Sequence, residues 1–153
     1  MSDEEIHSTY IHEKVKAFVS LTHGEGFGLP LFEAAYSGLP VVAPGWSGQI
    51  DFLMDPSGNE HFYNVAFDIQ PVQKEAEWKG VIEPGSMWAY ARENSAKEKM
   101  RECYNDIMSG DKVASCEYAL ELHERFSEEK LYADFVNSIE SVSANQDSQV
   151  IVL

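Results

Sequence analysis

The sequence predicts an α/β fold: a partial Rossmann-like parallel sheet flanked by helices, with a helical C-terminal third. Three observations carry this. Two short apolar runs, Ala17-Phe18-Val19-Ser20-Leu21 and Val41-Val42-Ala43, are bounded by Gly24, Pro40 and Pro44, as buried strands are. Between them, Pro30 suits a first helical position and Gly38 the residue after a helix end. Beyond about Ser86 the apolar residues recur at helical spacing.

Taken in order, Ser2 and Glu5 form a capping-box pattern that predicts a helix from Asp3 to Val15. The run 17–21 is the first strand, 30–37 a helix of about 12 Å, and 41–43 the second strand. Strand, helix, strand implies a parallel pair with a right-handed crossover. Ser47 to Leu53 reads as a short helix capped by Ser47. Asp55-Pro56-Ser57-Gly58-Asn59 is a turn by composition. Tyr63, Val65, Phe67 and Ile69 alternate with more polar residues, as in a half-buried strand. Ser95 and Glu98 form a second capping box, with Met100, Tyr104 and Ile107 as the core stripe. Gly110 ends that helix, and Asp111 caps a next one carrying Val113, Leu120 and Leu122. Ser127 opens a last helix whose stripe is Leu131, Phe135 and Ile139. Residues 1–142 are then one partial domain and 143–153 a frayed tail.

Composition excludes several function classes. The formal charge is −15, which disfavours nucleic acid and anionic membrane as partners. No apolar run approaches the roughly 20 residues of a membrane span, and the acidic start is not a signal pattern. Cys103 and Cys116 lack metal-ligand spacing and read as reduced thiols of a cytoplasmic protein. No metal site is expected.

The chemistry concentrates in residues 22–44. Gly24, Gly26 and Gly28 form a glycine-rich turn with G-x-G-x-G spacing. Leu29 and Leu31 stand where a dinucleotide fingerprint needs its last glycine, and no Lys-Ser or Lys-Thr completes a phosphate loop. A small nucleotide-binding oxidoreductase is therefore disfavoured. The turn does offer exposed backbone. Glycines permit close approach of a ligand, and the N–H groups around Phe27 to Leu29, at a helix start, lack intrahelical acceptors. Ligands of parallel α/β sheets bind beyond the strands' carboxyl ends, where this turn falls. Glu25 in the turn and Glu33 in the helix are placed to face one crevice, and a carboxylate suits vicinal hydroxyls. His23 reads as a polar turn residue, Trp46, Trp78 and Trp88 as packing, and Glu75 to Glu77 as a solvated acidic stretch.

The segment Glu25-Gly-Phe-Gly-Leu-Pro-Leu-Phe-Glu33-Ala-Ala, with Gly38-Leu-Pro-Val-Val-Ala, resembles the E-x7-E signature of retaining glycosyltransferases of the two-Rossmann-domain (GT-B) type, family 4-like. Ser47-Gly48 followed by Asp51-Phe52-Leu53 is similar to that family's small-residue loop. The resemblance implies the C-terminal, donor-binding domain and a nucleotide-diphosphate sugar as donor substrate, with no further cofactor. It implies that Glu25 contacts the donor sugar and stabilises the transferring centre. Gly26, Phe27, Gly28 and Leu29, with Ser47 and Gly48, would meet the sugar and diphosphate, and Glu33 the nucleotide ribose. The acceptor is unspecified. The family's acceptor domain and its basic diphosphate-binding pair have no counterpart in the chain, so a missing N-terminal domain or partner chain is expected. From residue 17 to residue 73 there is no Lys or Arg, against Glu25, Glu33, Asp51, Asp55, Glu60 and Asp68. The alternative expectation is a non-catalytic α/β interaction module or degenerate remnant.

Overall fold

The structure, a computed structural model, describes residues 3–110 and 115–147. The chain divides into two compact units, Met1–Ala119 and Leu120–Leu153.

The first unit is α/β. Its sheet has three parallel strands in the order β1 (Phe18–Val19), β2 (Val41–Pro44), β3 (Tyr63–Val65). Phe18 pairs with Val41 and Val42 with Tyr63. All four β2 residues are buried, as the central strand of a parallel sheet requires. Helix α1 (Asp3–Tyr10) packs on α2 (Leu29–Tyr36), which lies against β2 and α3 (Ile50–Leu53). A single 3-10 turn, Ser47–Gln49, precedes α3. The α2 crossover buries Leu31, Ala34 and Ala35. Phe32 and Phe52 meet edge-on with ring centroids 5.3 Å apart, and Phe27 lies 5.0 Å from Phe52.

Elsewhere the elements differ from expectation. Helix α1 ends at Tyr10, not Val15: Ile11 is exposed, and residues 12–15 close a turn through a 2.9 Å Val15 N–H to His12 C=O bond. Ser2, its expected cap, lies outside the described residues. The one strand expected over 63–69 is two strands in two sheets. The chain leaves β3 at Ala66, whose N–H donates to Ser95 Oγ (2.9 Å) and whose carbonyl accepts from Arg92 N (2.8 Å). It continues as β4 (Phe67–Pro71), antiparallel to β5 (Met87–Ala91), a strand in a stretch expected to turn helical. Only Ala89, in the middle of Met87–Ala91, is fully buried, so the run carries no clear period of its own; pairing with β4 makes it a strand.

Helix α4 (Glu93–Ser109) begins two residues before Ser95, so Ser95 is an acceptor for Ala66 and not a cap. Its core side is Ala96 and Cys103, joined by Ile107, packed with Val42 and Val65; Met100 and Tyr104 are exposed. Gly110 ends the helix in the left-handed region (φ 76°) as expected. Asp111 and Val113 lie outside the described residues.

Helix α5 (Ser115–Arg125) spans the unit boundary. Within the first unit, Tyr118 sets its hydroxyl 2.9 Å from Phe52 C=O and 3.1 Å from Met54 C=O, at the end of α3. In the second unit Leu122 is buried while Leu120 is exposed. Ser127 opens α6 (Glu128–Asp147), accepting from Lys130 N at 3.3 Å. Leu131, Phe135 and Ile139, expected as core, are exposed. The helix continues past Ser143 to Asp147; the remaining expected tail, 148–153, lies outside the described residues. Among the described residues no helix is long and apolar enough to cross a membrane.

Candidate functional site

Because β1 and β2 are parallel, the segments that leave them emerge at the same edge of the sheet. The glycine turn follows β1, and Ser47-Gly48 follows β2. The two are stitched together through the Glu25 carbonyl, which accepts from Ser47 Oγ (2.7 Å) and from Gly48 N (3.2 Å). The approach is close enough that a β-carbon at Gly48 would lie 2.0 Å from Gly26 O. Ser47 adopts φ 69°, a left-handed conformation costing an L residue about 1–2 kcal/mol. That geometry is held by its hydroxyl bond. Ser47 therefore braces the turn instead of capping the helix that follows it.

Gly28 is buried with φ 89°, and its carbonyl starts α2 by accepting from Phe32 N (2.9 Å). No side chain caps this helix start, so the N–H of Leu29 in its first turn has no intrahelical acceptor. Glu25, half-buried, Gly26, Phe27, Gly28, Leu29, Ser47 and Gly48 thus form one constellation at the helix N-terminus. Trp46 sits beside it, its indole nitrogen 3.4 Å from where a Gly24 β-carbon would be, and its ring packs 5.9 Å from Phe67.

Glu33 belongs to a different cavity. Oε2 accepts from the Tyr10 hydroxyl at 3.0 Å. Burial, and then the adjacent carboxylate, push the Tyr10 phenol up to about 12. The surrounding cavity, about 230 Å³, lies between α1 and α2 and includes His7, Phe32 and Tyr36; Glu25 is not among its lining residues. The structure therefore gathers the turn and the small-residue loop but does not bring the Glu25 side chain into the Glu33 cavity. Tyr10 was not signalled by any motif. Its only sequence trace is the Ile6–Tyr10 spacing, which puts both on one helical face.

His23, read as a bland turn residue, is half-buried and holds the β4–β5 hairpin. Its Nδ1 is 2.8 Å from Ala89 O, its backbone carbonyl accepts from Ala89 N (3.1 Å), and its ring stacks on Trp88 with centroids 5.1 Å apart. Trp88 is packing, whereas Trp78 is exposed. Gln49 is wholly buried beside Gly28. Its Nε2 donates to Pro44 O (3.0 Å), while Oε1 has no protein partner. Both cysteines are free thiols, Cys103 buried and Cys116 exposed. Among the described residues, no group of three or more His, Cys, Asp or Glu side chains is arranged to hold a metal ion.

No protein-family model matches this chain, and no curated protein matches it.

Proposed function

We propose that the chain is the distal part of the donor-binding domain of a retaining GT-B glycosyltransferase, family 4-like, which moves a sugar from a nucleotide diphosphate to an acceptor hydroxyl. The observation that carries this reading is the closure of Ser47-Gly48 onto the glycine turn through the Glu25 carbonyl, at the carboxyl edge of a parallel sheet and the uncapped start of α2. Glu25 contacts the sugar hydroxyls and opposes the positive charge that develops on the ring as the glycosidic bond breaks. The leaving diphosphate gathers negative charge, which the backbone N–H groups of Gly26 to Leu29 and the α2 dipole stabilise. Glu33 accepts from the ribose hydroxyls, with Tyr10 holding its carboxylate.

Residues 17–73 contain no Lys or Arg. A helix terminus contributes only about 0.3–1 kcal/mol to an exposed anion. The chain alone therefore binds a nucleotide sugar weakly, and a partner segment supplies the basic clamp. Calorimetry with uridine, guanosine and adenosine diphosphates and their sugars, with and without a basic N-terminal domain of this type, tests the proposal. Binding in the mixture that Glu25→Ala and Glu33→Ala weaken supports it. No binding in either case favours the second reading, a non-catalytic interaction module. Two observations favour that reading: Glu33 is already engaged by Tyr10, and Glu25 stands outside the Glu33 cavity.

A further inference from the structure

The last helix carries a feature that sugar transfer does not use. On α6, Leu131, Tyr132, Phe135, Val136 and Ile139 are each between 49% and 65% exposed. At 100° per residue they form one stripe roughly 140° wide. A groove of about 440 Å³ runs along its start, lined by Phe126, Glu128, Leu131, Tyr132 and Phe135. Exposed apolar patches of this kind, rimmed by polar groups, mark interaction surfaces.

The charges on the helix select the occupant. Glu128 lines the groove itself. Glu129 and Glu140 flank the stripe on one side and Asp134 on the other, all exposed. Lys130, the one basic residue among Glu128–Asp147, falls on the opposite face. A second copy would set these carboxylates against their own kind, between chains of formal charge −15. An anionic membrane surface is repelled for the same reason.

We infer that the exposed face of α6 docks a basic amphipathic helix of a partner protein, whose apolar side fills the Leu131–Phe135 groove and whose Lys and Arg meet Glu128, Glu129, Asp134 and Glu140. Helix-in-groove recognition of this form takes its affinity from the apolar anchors and its selectivity from the charged rim. The inference is independent of the donor-site reading.

The test is fluorescence anisotropy of the full chain with labelled synthetic helices of roughly 18 residues. One carries leucine and lysine in an amphipathic pattern, the other leucine and glutamate. The lysine helix binds and the glutamate helix does not, and added salt weakens the complex. Phe135→Asp lowers the affinity about tenfold or more, although its added negative charge would strengthen binding by charge alone. Leu131→Ser weakens it without a charge change. Asn137→Asp, on the opposite face, leaves it intact, and circular dichroism verifies that each variant is folded. The inference is overturned if Phe135→Asp binds as tightly as the parent, if the glutamate helix binds equally, or if neither helix binds. It is also overturned if sedimentation shows self-association of the chain that Phe135→Asp abolishes.

Discussion

At Gly48 a β-carbon would meet the Gly26 carbonyl oxygen at 2.0 Å, and the atom in the way is backbone, which cannot swing aside. Gly48→Ala is therefore expected to destabilise the fold by about 1–3 kcal/mol or more, read as a lower urea midpoint. An unchanged midpoint would mean that the small-residue loop does not close on the glycine turn in solution. Tyr10 poses the complementary case, a neutral donor on a carboxylate. Its folded-state pKa is raised to about 12 by burial and by Glu33. The stability linked to it is thus complete below the unfolded value near 10 and is lost as pH rises through about 12. Tyr10→Phe should cost about 0.5–1.5 kcal/mol at neutral pH. It should also abolish a late phenolate step in ultraviolet titration; a wild-type curve in the variant would remove the Tyr10–Glu33 bond.

The turn between α3 and β3 depends on one carboxylate. Asp55 accepts from Ser57 N (2.8 Å), Asn59 N (2.9 Å), Asn59 Nδ2 (2.7 Å) and His61 Nε2 (3.2 Å). The Asn59 side-chain and backbone donors, foremost among these, hold its carboxyl well below the usual carboxylate range. For a depressed acid the linked stability is present above the unfolded value near 4 and fades as pH falls through the lower folded value. Thermal unfolding of the wild type should lose midpoint temperature between pH 5 and pH 2 more steeply than that of Asp55→Asn; parallel curves would show that the turn's bonds do not form. Helix α4 is tied to the sheet by comparable links. Tyr63 donates to Asp106 Oδ2 at 2.8 Å, and Ala66 N donates to Ser95 Oγ, so α4 both covers β3 and ends it.

At the scale of the molecule, the two thiols report which surfaces are closed. Cys103 is buried among Val42, Val65 and Ala96, and burial pushes its thiol up to about 11, whereas Cys116 is exposed. Native protein treated with iodoacetamide at neutral pH should take up one equivalent, at Cys116. Cys103 should react only after denaturation; two rapid equivalents would mean that α4 does not pack on the sheet. The fold class was legible in the sequence because Val41 to Pro44 and the Pro30–Gly38 interval obey local rules: a run buried on both faces, and a helix that starts at proline and stops at glycine. The turn at Asp55 and the Ser127 cap were legible for the same reason, since each is made by neighbours in the chain. The β5 strand, the break at Ala66 and the exposure of the α6 stripe were not, because each is decided by partners far away in sequence. By itself, then, the sequence determined the parallel α/β core, the glycine turn at its carboxyl edge and the acidity of the surface. Only tertiary structure decided that Ser47 and Gly48 close on Glu25 while Tyr10 takes Glu33. Periodicity records which side of an element is apolar, but the partner a side chain meets depends on how distant segments pack.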